Sequence, residues 1–140
     1  MDLPFSTEDL TRLYRFTLLL TGDEDAAQQV MMDACTDCAA RLGSYRNEQS
    51  RLACILGSLR QRAKAVTANG GREVVRGFGA LPEEERVALA AMYAGLLPAR
   101  ELAEALKISL EQLGRVLKSG REGLGRVGLE LGEPSLEKAQ

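Results

Sequence analysis

The chain contains no histidine. A Ser-His-Asp triad, or any general base built on imidazole, is therefore excluded. Aromatic residues supply only 4% of its 140 residues. Strands draw on aromatic and β-branched side chains, and here Ala, Leu, Glu and Arg dominate, so the composition points to helices. No uninterrupted apolar run approaches the roughly 20 residues of a membrane span; the triplet Leu18–Leu20 lies inside an amphipathic segment. Three cysteines are an odd number and too few for a disulfide scaffold. A reduced, cytoplasmic compartment is the expectation. The opening "MDLPFSTEDL" has neither a basic n-region nor a long apolar core, so no secretory signal is expected. Excess charge of one sign is also missing. The 18 basic and 20 acidic residues leave a net charge of −2, so any attraction to nucleic acid must be local.

Apolar content of 45% with 27% charged residues fits a folded globular chain. Ser6 is a natural N-cap, with Asp9 at the box position, for a first helix that Gly22 ends. Its apolar face is expected to hold Leu10, Leu13, Tyr14, Thr17, Leu18 and Thr21, widened by Phe16 and Leu20. Asp23 caps a second helix running to about Leu42, with Ala27, Val30, Met31, Ala34, Cys35, Cys38 and Leu42 as its apolar positions. A third starts near Asn47 and runs toward Ala65, with Leu52, Ile55, Leu56, Leu59 and Ala63 as its stripe.

The segment "TANGGREVVRGFGA", from Thr67, has no helical period and reads as a linker. Beyond it, Pro82 suits the first turn of a helix whose apolar side is Val87, Leu89, Ala90, Met92 and Tyr93, closed by Gly95. A short helix to Leu106, a turn at Lys107-Ile108-Ser109 and a last helix follow, with Leu110, Leu113, Val116, Leu117 and Leu124 apolar in it. The pattern is that of a helix-turn-helix. The expected fold is all-α: two small helical bundles, 1–66 and 80–131, joined by a flexible linker at 67–79, with a tail at 132–140.

No enzyme constellation is visible, and no cofactor is expected. The glycine-rich segment lacks the Lys-Ser/Thr of a P-loop. Cys35 and Cys38 share a helical face, and Cys54 can lie across from them. A zinc site needs four ligands, so these cysteines read as core filling. Neither a small-molecule substrate nor a membrane is implied.

The order of motifs resembles that of bacterial extracytoplasmic-function sigma factors, as a divergent member. The first half, "LTRLYRFTLLLTGDEDAAQQVMMDACTDCAARL", resembles that family's first domain through its "LYR…LTGD-x-x-A" entry into a long helix. The second half carries Leu81, Pro82 and Arg86. It then has Glu101, Leu102, Ala103, Glu104, Leu106, Ile108, Ser109, Leu113, Leu117, Arg121, Glu122 and Leu124 in the pattern of the family's second domain. The resemblance implies a transcription protein that binds core RNA polymerase through its first domain and promoter DNA through its second. It puts Gln28, Gln29, Met32 and Asp33 on the polymerase-facing helix, and turns Arg60, Arg62 and Lys64 toward the promoter strand.

In the last helix, Gln112 would lie nearest the bases and Arg115, Lys118 and Arg121 would touch phosphates. Two departures weaken DNA binding. Ala53 and Cys54 stand where the family has aromatics, and base stacking on an aromatic is worth about 1–3 kcal/mol. Four cations of the last helix, Arg126 included, face two carboxylates, Glu111 and Glu122. Lys107 also replaces the family's turn glycine. The alternative is a sigma-shaped decoy that binds an anti-sigma factor through an apolar groove between the domains and regulates transcription by protein–protein contact.

Overall fold

The computed structural model describes residues 5–42, 44–45, 47–67 and 81–130, and they are all-α: six helices and no strand among the described residues. The helices are α1 (Thr7–Thr21), α2 (Glu24–Leu42), α3 (Glu48–Thr67), α4 (Glu83–Ala94), α5 (Ala99–Leu106) and α6 (Leu110–Glu130). The glycine-rich linker beyond Thr67, with Val74, Val75 and Phe78, and the tail at 132–140 lie outside the described residues. None of the described helices is long and apolar enough to cross a membrane.

Local chemistry sets the ends. Ser6 Oγ accepts from Asp9 N at 3.1 Å, and Gly22 closes α1 at φ 73°. Asp23 Oδ2 accepts from Ala26 N at 2.8 Å, and Asn47 Oδ1 accepts from Ser50 N at 2.8 Å. These side-chain oxygens satisfy amides that the first helical turn leaves without a backbone partner. Pro82 sits one step earlier than expected, as the N-cap residue of α4 rather than within its first turn. Gly95 closes α4 at φ 67°.

The α5–α6 turn makes its reversal without glycine. Lys107 adopts the left-handed conformation, φ 61° and ψ 40°, and its amide reaches back to Ala103 O and Glu104 O. A Cβ in that region costs about 1–2 kcal/mol. Lys107→Gly is therefore expected to stabilise the fold by about 1 kcal/mol, read as a higher urea midpoint at unchanged m-value.

The buried side chains of both halves form one continuous core. α1 packs on α2, α3 and α4, α3 also packs on α5, and α4 packs on α6. The α3 stripe is buried as its spacing predicts: Leu52, Ile55, Leu56, Leu59 and Ala63. In α1 the buried face is centred on Leu13, Phe16, Thr17 and Leu20, with Leu10, Tyr14 and Leu18 at its margin. α4 borders this face, with Val87 beside Leu20. α4 is the central helix, and Val87 through Ala91 are all buried. Its alanines let neighbours approach on several sides. Two apolar expectations fail: Tyr93 and Leu110 are each 50% exposed.

Two glycines inside α6, Gly120 and Gly123, allow close packing against α4 and the residue that leads into it. A Cβ at Gly120 would stand 2.7 Å from Leu89 Cδ1, and one at Gly123 would stand 2.6 Å from Leu81 Cδ2. Leu89 is fully buried. Gly120→Val is expected to lower stability by about 1–3 kcal/mol through overpacking, seen in thermal or denaturant unfolding.

Candidate functional site

The last helix separates its residues cleanly. Leu113, Leu117, Gly120, Gly123 and Leu124 are buried, and Gln112, Arg115, Lys118 and Arg121 are exposed. Steps of three keep these four on one drifting outward stripe. Glu111 and Glu122 are exposed on the same helix. Ser119 Oγ donates to Glu85 Oε2 at 3.1 Å, tying the stripe's edge to α4. Gln112 already has a local partner: its Oε1 accepts from Ser109 N at 2.9 Å, and its amide donates to Ser109 Oγ at 3.0 Å. This is a complete reciprocal capping box. Arg126 has no described side chain.

Two of the three cations expected to meet DNA in the first half, Arg60 and Arg62, are held by carboxylates. Arg60 grips Glu83 with both edges, Nε to Oε2 at 2.8 Å and Nη2 to Oε1 at 2.7 Å. Fork-on-fork geometry is the strong form of this pair. It joins α3 to the start of α4, across the two halves of the chain. The hydrogen bonds from Arg60, then its charge and those of Lys64 and Arg86, hold the Glu83 carboxyl below its ordinary value against the opposing effect of burial. Arg62 lies 3.8 Å from Asp33 and also pairs with Asp37. A side chain expected to face DNA and one expected to face polymerase thus share an ion pair. Lys64 is exposed at the end of α3.

On α2, Gln28, Gln29 and Met32 are exposed, Met32 by 66%, and Asp33 is half-buried. Gln29 Nε2 donates to Asp33 Oδ1 at 2.9 Å. Local pattern marks Glu83 as a helix-dipole carboxylate and does not single out Asp37. Their partners lie on other helices, 23 residues away for Arg60 and Glu83, beyond the reach of any local pattern.

A lowered carboxyl sets a sign. The Arg60–Glu83 pair contributes its stability in full above the ordinary glutamate value of 4.5 and loses it as pH falls through the lower folded value. Glu83→Gln is expected to cost about 1.5 kcal/mol at neutral pH. The gap from the parent protein should close on acidification below 4.5, measured by urea unfolding across pH.

A cleft of about 440 Å³ opens between the halves. Asp9, Arg12, Glu48, Gln49 and Leu52 line one side, and Met92, Gly95, Leu96, Leu97 and Pro98 line the other. Asp9 is 1% exposed, neither of its carboxyl oxygens accepts a hydrogen bond from a described group, and Arg12 Nη1 lies 3.5 Å from Oδ1. A protonated Glu48 can donate to Asp9. That hydrogen bond first, and the Asp9 negative charge next, raise the Glu48 carboxyl. The groove is therefore amphipathic, with leucines beside an acidic pair.

Compared with family models, curated proteins and solved structures, the chain matches none. Its own surfaces are what bear on its function.

Proposed function

We propose that the chain is a sigma-factor-like transcription protein that binds core RNA polymerase and contacts promoter DNA weakly. The observation that carries this reading is α6. One helix, seated by leucines and close-packed glycines on α4, turns Gln112, Arg115, Lys118 and Arg121 outward behind a three-residue turn. In this reading residues 80–131 form the DNA-contacting unit. Residues 1–66 form the polymerase-contacting unit, with Gln28, Gln29, Met32 and Asp33 facing the enzyme. Arg60, Arg62 and Lys64 face the promoter strand, and Arg60 must leave Glu83 before it can meet a phosphate. The test is co-elution with purified core polymerase, followed by run-off transcription from genomic fragments. Retention on the polymerase with promoter-selective transcripts supports the reading, and failure of both removes it.

A second reading is a sigma-shaped decoy for an anti-sigma factor, acting in regulation of transcription. Two observations favour it. Arg60 and Arg62 are already neutralised by carboxylates, and an amphipathic cleft lies open between the halves. A decoy would not support transcription with core polymerase. It would instead hold a small helical partner at high salt, and substitutions of Leu52 or Leu96 in the cleft would release that partner.

A further inference from the structure

The three cysteines are all free thiols, and two of them belong to one polar cluster on facing helices. Cys38 is fully buried on the inner face of α2, and Cys54 is half-buried on α3 against the same core. A cysteine that only fills a core has apolar neighbours. Here polar groups converge on the sulfurs. Arg41 Nη2 donates to Cys38 Sγ at 3.5 Å. Ser58 and Cys54 lie near enough to act on the Cys38 thiol, and Cys54 on the Tyr45 hydroxyl. Tyr45 is 37% exposed, so the Cys54 side of the cluster borders solvent.

We propose that Cys54 and Cys38 form a thiol-oxidation site, at which a hydroperoxide converts the pair into a disulfide that staples α2 to α3. The order of events follows from access. The Cys54 thiolate attacks the peroxide O–O bond. One oxygen is transferred to sulfur as a sulfenic acid, and the other leaves as hydroxide and takes up a proton. The Cys38 sulfur, with Arg41 donating to it, then attacks the Cys54 sulfur. The S–O bond breaks, the S–S bond forms, and the departing hydroxide takes the Cys38 proton to become a second water. Two thiols are oxidised by two electrons and one peroxide is reduced to two waters. Burial first, and the neighbouring Cys54 next, hold the Cys38 thiol above its ordinary range. Cys38 therefore rests as a thiol at neutral pH, and closure of the disulfide should accelerate as pH rises.

The test treats the full chain with hydrogen peroxide, quenches, alkylates under denaturing conditions and maps the peptides by mass. The expected product is monomeric, lighter by two hydrogen atoms, with one alkylated cysteine (Cys35) and a Cys38–Cys54 cross-linked peptide that a thiol reductant reverses. Cys35→Ser should still close the link. Cys54→Ser, at a half-buried position, should abolish it while keeping its helical circular dichroism. Three alkylated cysteines after treatment, a Cys35–Cys38 link, or a dimer as the oxidised species would each overturn the assignment.

Discussion

Phe16→Ala is expected to lower stability by about 3–5 kcal/mol, the range for emptying a fully buried phenylalanine site. For a chain of this length that corresponds to a fall in Tm of roughly 10–20 °C. Phe16 is the largest of the fully buried side chains, and it lies on the helix that touches α2, α3 and α4. The loss should therefore be felt in both halves of the chain. Amide hydrogen exchange followed by mass spectrometry is the suitable readout. Peptides from α3 and from α5 should both lose protection in the variant, and thermal unfolding should stay a single transition. Two separate transitions, with α5 and α6 unaffected, would mean that the halves fold independently and that their common core adds little.

Neutralising Arg115, Lys118 and Arg121 together, each to alanine, is expected to produce the largest change in DNA affinity. Every phosphate that a cation no longer neutralises keeps close to one counterion out of the binding equilibrium, so the slope of log K against log salt should fall by about 3. The same effect predicts a drop of roughly two orders of magnitude in affinity near 0.1 M salt. All three side chains are exposed on α6, and the helix is held through its other face. The variant should therefore keep its fold and melting temperature. Fluorescence anisotropy with a labelled duplex over a salt series measures both quantities. An unchanged salt slope would remove α6 as a DNA-contacting helix and leave the decoy reading as the stronger one.

The helices are legible in the sequence because their boundaries are written in local chemistry. Ser6, Asp23 and Asn47 cap, and Gly22 and Gly95 stop, where the pattern places them. The α3 stripe is equally plain, since one helix face with one period decides it. What local pattern cannot carry is the identity of the neighbour. The burial of the unbroken run Val87 through Ala91 depends on which helices lie beside α4, α1 and α6 among them, contacts between residues far apart in the chain. The same limit applies to the candidate site. Spacing alone predicts the outward stripe of α6. It does not predict the capture of Arg60 by Glu83 or of Arg62 by Asp37, because charge counts say nothing about which opposite charge is within reach. Gln112 and Ser109 make their capping bonds in full, which ties the residue placed nearest the bases to its own helix start.

The common core also sets a calorimetric signature for whatever binds. Parting α1 from α4 would bring Leu20, Val87 and their neighbours into water, and hydrating apolar surface raises heat capacity. A partner that pries the halves open, without replacing that surface by its own, should bind with a heat-capacity change shifted in the positive direction. One that settles onto the closed molecule should show the negative change of ordinary apolar burial. Titration calorimetry at several temperatures would thus distinguish an opener from a rider before either complex is seen at atomic detail.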